Sequence, residues 1–286
     1  MKNTCMTLFV FLSLTFCTWS FEWPQSIEDE TSIYSWFGED RGSSFNSALI
    51  FSKTMSVAAS EDGYVLAILG RFSDEDGWIN GTLGNAVVLS HANELNTVYG
   101  NLKNITITDN ISDINAGTFL GTSGSSGWQN ENSSLEFQVL DTKLNAIINP
   151  LLLLQKKTIE KRFYISNLEA FNETTGDSFY VSKVSSIPAG IYSLYCDSKE
   201  GYMPYEITVS INGVAAETVS YDTLTLQNYR LCVSGNRLLS YDDIYPKKKR
   251  FKLAEIILTH GKNTITISTY DSSKNEKISV YYLQTQ

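Results

Sequence analysis

Two histidines, His91 and His260, are all the imidazole this 286-residue chain contains. Hydrolysis near neutral pH needs an activated nucleophile beside a base, or a metal ion held by several N, S or O donors. A Ser-His-Asp system would have to use one of these two rings, and neither has local support. The G-x-S-x-G pattern is absent, because Gly124-Ser125-Ser126-Gly127 is shorter and follows a glycine-rich turn. No histidine lies between Met1 and Ser90. His91 stands beside the turn Ala92-Asn93-Glu94 and reads as a structural hydrogen-bonding residue. His260, in T-H-G-K-N, reads as part of a surface turn between strands. Glu39 and Asp40 beside Arg41 read as a surface ion pair, with the charged edge of a groove as the alternative.

The scarcity of donors matters because of where it falls. The chain runs F-G-E-D-R-G-S-S-F-N-S-A-L-I-F (Phe37 to Phe51), then V-A-A-S-E-D-G-Y-V (Val57 to Val65). It continues V-V-L-S-H-A-N-E-L-N-T-V-Y-G-N-L (Val87 to Leu102), A-G-T-F-L-G-T-S-G-S-S-G (Ala116 to Gly127) and S-S-L-E-F-Q-V (Ser133 to Val139). In order and spacing these strings resemble the lysostaphin-like (LytM-type) zinc endopeptidases of bacterial cell walls. That family reads F-G-x-R-x-x-x-F-H-S-G-I-D, V-x-A-x-x-D-G-x-V, H-x-x-G-x-x-T-x-Y-x-H-L, G-x-x-I-G-x-x-G-x-x-G and H-L-H-F-E-[IV]. The glycines, aromatics and apolar positions match over a little over a third of the chain, and the chemistry does not. Asn46 stands where the resemblance implies the first zinc histidine, and Ile50 where it implies the zinc aspartate. Asn101 replaces the histidine of Y-x-H-L that assists catalysis. Ser134 and Glu136 replace the two histidines of H-L-H. Zinc requires about three or four donors at roughly 2.0–2.3 Å. Of these vestigial positions only Glu136 is a credible donor, so no metal is expected although zinc is the family's cofactor. Without the ion, a bound water has no reason to ionise near neutral pH.

The N-terminus reads as an export signal: Lys2, an apolar run from Leu8 to Phe16, and Thr18-Trp19-Ser20 before a cleavage point at Phe21. L-T-F-C (Leu14 to Cys17) loosely matches a lipoprotein box, with Phe16 large for the position before a lipidated cysteine. No other stretch approaches the roughly 20 apolar residues of a spanning helix, so no transmembrane anchor is expected after cleavage. The expected location is the periplasm or cell envelope. Cys196 and Cys232 would then be the mature cysteines, and an exported pair permits a disulfide. A net charge of −9 and a pI near 4.8 argue against nucleic acid as a partner. The basic run Lys247 to Arg250 reads as a solvated hairpin loop. The sequons at Asn80, Asn104, Asn110, Asn132 and Asn172 read as polar surface loops.

Elements to position these residues are legible as strands. Short apolar runs broken by Gly, Asn and Asp predict antiparallel β structure throughout. Strands are expected at Tyr64 to Leu69, Ala86 to Leu89 and Asn96 to Leu102, with turns at Asp62-Gly63 and Asp76-Gly77. Leu135, Phe137 and Val139 alternate as a core face, which leaves Ser134, Glu136 and Gln138 on the other face. Trp23 and Pro24 predict an extended segment packed onto the domain. Asn149-Pro150 and Leu151 to Leu154 match the end of the family's domain.

The expected division is residues 1–20 as signal, 21–156 as a degenerate endopeptidase domain and 157–286 as a second β domain. The first carries the antiparallel duplicated hybrid motif of the family, so the chain is all-β. For the second, about seven strands are expected: 162–166, 178–184, 190–196, 205–211, 253–258, 264–270 and 277–283. These suggest an immunoglobulin-like sandwich, with Asn212-Gly213 as a type I′ hairpin turn.

By resemblance, the chain is a non-catalytic relative of wall endopeptidases. Its expected partners are peptidoglycan or an envelope protein, with regulation of wall hydrolases a role that degenerate members have. Asn46, His91, Asn101, Ser134 and Glu136 are the candidate groove. Two alternatives stand beside this reading: an active zinc endopeptidase with a rearranged site, and a structural envelope or adhesion protein.

Overall fold

The computed structural model describes residues 20–70, 81–108, 112–127, 134–157, 163–197, 203–246 and 250–286. The predicted signal, Cys17, Asn80, Asn110, Asn132, Asp76-Gly77 and Lys247 to Lys249 lie outside the described residues. The chain is almost entirely β. Its N-terminal part holds β1 (Ile33–Ser35), β2 (Leu49–Phe51), β3 (Ser56–Ala58), β4 (Gly63–Leu69), β5 (Ala86–Ser90) and β6 (Leu95–Gly100). It continues with β7 (Leu102–Ile105), β8 (Asp113–Ile114), β9 (Phe119–Ser123), β10 (Glu136–Asp141) and β11 (Ala146–Ile148). The C-terminal part holds β12 (Glu169–Phe171), β13 (Ser178–Tyr180), β14 (Ser186–Ile187), β15 (Gly190–Asp197), β16 (Glu206–Ile211) and β17 (Val214–Gln227). After β18 (Arg230–Ser234) and β19 (Leu238–Ser240) comes the single-turn helix α1 (Tyr241–Ile244). The chain ends with β20 (Arg250–Leu258), β21 (Gly261–Tyr270) and β22 (Glu276–Thr285).

The first part is built around β10. Leu135, Phe137 and Val139 are fully buried, each such side chain contributing about 1.5–3 kcal/mol on transfer from water. Strand β10 pairs antiparallel with β6 on one side, and with β2 and then β11 on the other. The sheet continues through β5 and β4 to β8. A second, three-stranded sheet, β3-β9-β7, stacks beside it. Gly124 is required there by proximity, since a Cβ would lie 2.6–2.7 Å from Lys103. The segment before β1 packs as Trp23 and Pro24 predict: Phe21 is buried and bridges Leu154, and the Trp23 indole donates to Gln155 O at 2.7 Å.

The second part is a two-layer sandwich. One layer is β13-β12-β15-β20; the other is β14-β22-β21-β16-β17 with β18 and β19 beside it. Tyr192, Leu194 and Cys196 of β15 and Phe251 and Ile256 of β20 meet Ile207, Val209, Val219, Ile265 and Ile267 from the facing layer.

Several expectations change. Residues 163–166 form no strand, and the strand begun at Ser178 stops at Tyr180. Strand β17 is fourteen residues long and has no counterpart among the expected strands. Its buried Tyr221 and Leu224 stand three apart, which breaks the two-residue period where its pairing with β18 shifts register. The Asn212-Gly213 turn forms between β16 and β17 with φ of 52° and 84°, the positive values of a type I′ turn.

The two parts share a sheet. Strand β11 pairs with β17, setting Ala146 against Thr225 and Ile148 against Thr223, so hydrogen bonding runs unbroken from one unit into the other. Phe37 and Phe45, from the N-terminal part, belong to the core of the C-terminal sandwich.

Candidate functional site

The positions that the resemblance assigns to zinc gather at the junction of β1, β2, β10 and β6. Antiparallel partners put their side chains on the same face. Glu136 lies opposite Ile50 of β2 and Gly100 of β6, while Ile50 is also paired with Ser35 of β1. Asn46 joins this row through Ser35: its Nδ2 is 3.0 Å from Ser35 Oγ, 2.8 Å from Trp36 O and 3.0 Å from Ala48 O. Asn101 takes a φ of 63°, which asparagine tolerates better than most side chains. Its Nδ2 donates to Gly124 O at 2.6 Å and Ser134 O at 2.7 Å, and its Oδ1 accepts from Gly127 N. Asn46, Asn101, Ser134, Glu136 and Ile50 are all buried.

The decisive residue is Arg41. Its guanidinium grips Glu136 with two parallel bonds, Nη1 to Oε1 at 2.8 Å and Nη2 to Oε2 at 3.0 Å. Glu136 is 3% exposed at its side chain and Arg41 35%. Gln138 adds a third donor to Oε1 at 3.1 Å. This forked geometry is the strong form of a carboxylate contact. The pairing with Glu136 raises the guanidinium's pKa further above its ordinary value. Arg41 therefore pairs across the fold with Glu136 and lies at a charged edge of the groove, the second of the two readings its sequence allows. Glu39 instead accepts from Ser35 Oγ at 2.6 Å and Trp36 N at 2.8 Å. Asp40 accepts from the Tyr241 hydroxyl at 2.6 Å. Nothing in the local sequence points Arg41 toward Glu136. The available signal is that a carboxylate on a strand flanked by Leu135 and Phe137 must find a cation.

These residues do not fit zinc. Ile50 offers no donor atom, the Asn46 amide is spent on backbone and serine oxygens, and both Glu136 oxygens are held by Arg41. Among the described residues no three His, Cys, Asp or Glu side chains cluster in a way that could hold a metal.

His91 is not in this groove. Its Nε2 is 2.7 Å from Thr97 Oγ1 and its Nδ1 2.8 Å from Asp62 O. Thr97 pairs with Val139, on the core face of β10 opposite to Glu136. Phe21 lies against the ring, tilted by 59° with centroids 5.4 Å apart. Burial holds the imidazole below its ordinary pKa, with the Asp62 carbonyl working the other way. Gly63 makes room for it, because a Cβ there would fall 2.7 Å from His91 Nδ1. His260 is exposed between β20 and β21. The disulfide allowed by the sequence is not formed: Cys196 and Cys232 are both free and buried. Cys196 belongs to the four-stranded layer and Cys232 to the larger one, and burial raises the Cys196 thiol pKa far above its usual value.

Strand order thus sets the positions that the resemblance assigns to zinc around a buried Arg41–Glu136 ion pair. The model of Peptidase family M23 matches residues 47–150, so this part of the chain is an M23, lysostaphin-like domain. A second family model, which carries no description, matches residues 162–286. Among solved structures, one chain of the SpoIIIAH and SpoIIQ complex is similar at 18% identity, over 45% of this chain and 96% of that one, with a TM-score of 0.36. Csd3 of Helicobacter pylori is similar at 21% identity, over 49% of this chain and 34% of that one, with a TM-score of 0.35. A mutant catalytic domain of the prophage-encoded M23 protein EnpA from Enterococcus faecalis is similar at 22% identity, over 41% and 87%, with a TM-score of 0.33. No curated protein matches the chain. Among the described residues no helix is long and apolar enough to cross a membrane.

Proposed function

We propose that this protein is an exported, non-catalytic M23 homologue that acts in the cell envelope by docking a protein partner, with regulation of a wall hydrolase as its role. One observation carries the reading: the Arg41 fork on Glu136, at the centre of the former metal site. A zinc-activated water needs an open coordination position, and here the one carboxylate among the aligned zinc positions, Glu136, is committed to a cation. The same arrangement disfavours peptidoglycan as a groove ligand, since a stem peptide entering the site would have to break a charge-assisted pair on a buried acid. Docking then falls to the outer surfaces of the M23 domain (21–156) and the sandwich (157–286), which we take to be immunoglobulin-like.

A structural envelope role is the second reading. It is favoured by the β11–β17 pairing, which makes a continuous sheet of both units.

The test is metal content of the mature protein from Phe21, read with a peptidoglycan pulldown and cleavage of glycine-rich peptides. No zinc, no cleavage and no wall retention support protein docking. One zinc per chain with cleavage would overturn the reading in favour of a rearranged peptidase. Wall retention without zinc would reassign the ligand to peptidoglycan.

A further inference from the structure

The C-terminal sandwich carries an open sheet edge whose pattern is complementary to itself. Strand β22 pairs along its whole length with β21, from Glu276 against Tyr270 to Thr285 against Gly261, without a bulge. Among the described residues its other side pairs with β14 at Gln284 and Thr285 and with no further strand. There Gln284 N donates to Ser185 O and Gln286 N to Ile187 O, so the even-numbered residues direct their backbone groups outward. Backbone direction alternates along a strand, so Glu276, Ile278, Val280 and Tyr282 present N–H and C=O along an edge that no strand among the described residues covers. Their side chains share the outer face, and three are apolar and exposed: Ile278 at 55%, Val280 at 45% and Tyr282 at 77%. Folded proteins usually blunt such an edge.

We propose that this edge is an interface with a second copy of the same chain, formed by antiparallel pairing of β22 with β22 about a twofold axis at Ser279. The open segment 276–282 is centred on that residue. This register sets Ile278 opposite Val280 of the second copy, twice, and Tyr282 opposite Glu276, so all four outward backbone positions find partners. Apolar pairs across strands are the favourable kind, and a twofold contact closes the assembly at two. The ends of the outer face differ in charge: Lys262, in line with Gln284, lies at one end, and Glu206 and Glu276, both in line with Tyr270, lie at the other with Lys274 beyond them. Antiparallel pairing brings Lys262 of each copy toward the end of its mate that carries both glutamates and Lys274. A seven-residue edge by itself falls below the roughly 1,200 Å² of a stable interface, so the dimer is weak and concentration-dependent. This inference does not rest on the proposed function, since the edge lies in the sandwich and not in the M23 domain.

Sedimentation of the chain from Phe21 onward, over a concentration series, tests it. The expected result is a monomer–dimer equilibrium with no larger species. Val280→Pro removes an outward N–H that the β21 ladder does not use, a substitution edge strands tolerate. It should weaken association by at least about tenfold while thermal unfolding shows the fold retained, and Ile278→Lys should do the same. Ser279→Cys should cross-link two chains under mild oxidation, because a non-hydrogen-bonded pair at the axis sits about 4.5 Å apart by Cα; Tyr282→Cys should not. A protein that is monomeric throughout overturns the proposal. So does a dimer indifferent to both substitutions, or one without the Ser279→Cys cross-link.

Discussion

Arg41 converts an otherwise untenable residue into a structural one. A carboxylate buried like that of Glu136 is costly unless it is paired and hydrogen-bonded, and three donors meet it here. Arg41→Ala should therefore destabilise the protein by about 1–3 kcal/mol, measured by denaturant unfolding. Glu136→Gln should cost less, because the neutral amide needs no counter-charge. An Arg41→Ala variant as stable as the wild type would show the pair to be ornamental. His91 makes a different prediction. Because burial lowers its pKa, the folded state prefers the neutral ring and the unfolded state binds the proton more readily. Its contribution is fully present above pH of about 6.5 and declines as pH falls toward the depressed folded value. His91→Gln should remove that part of the slope below a pH of about 6.5. An unchanged slope would place the proton uptake elsewhere.

Strand β10 shows how one element serves two masters. Its core face, Leu135, Phe137 and Val139, holds the sheet, while the opposite face carries Glu136 and Gln138. The two faces are chemically independent because successive side chains point to opposite sides, so the fold does not depend on which polar groups the second face bears. In the sandwich, the β16–β17 hairpin depends on the positive φ values of Asn212 and Gly213. Gly213→Val should cost about 1–2 kcal/mol, since a Cβ is disfavoured in that conformation. Asn212→Gly should be nearly neutral. Equal losses from both would mean the turn does not set the register.

At the scale of the molecule, the M23 domain and the sandwich are coupled three ways. Strand β11 is hydrogen-bonded to β17, Phe37 and Phe45 are buried in the sandwich core, and Asp40 and Gly38 accept from Tyr241 and Tyr245. The loop from Phe37 to Phe45 thus holds Arg41 over Glu136 on one side and the second unit on the other. Calorimetry of the intact chain should show a single unfolding transition. Ile147→Asp on β11 should lower its midpoint. Two resolved transitions in the unsubstituted protein would sink the coupling.

The strands around the vestigial site, the alternation of β10 and the turn at Asn212-Gly213 were legible in the chain because each rests on local spacing: the two-residue period, and glycine or asparagine where φ is positive. The loss of the zinc donors was equally legible, since residue type alone decides whether an atom can bind a metal. Four things were not. The resemblance set His91 among the groove residues, whereas only the pairing of Thr97 with Val139 shows it to lie on the other face, in the structural role its local sequence implies. The partner of Arg41 lies ninety-five residues away. The cysteines fall in opposite layers. The fourteen-residue β17 breaks its own period and joins two units that composition would separate. Each of these depends on contacts between residues far apart in the chain, where no spacing rule applies and only the packed sheet decides which side chains meet.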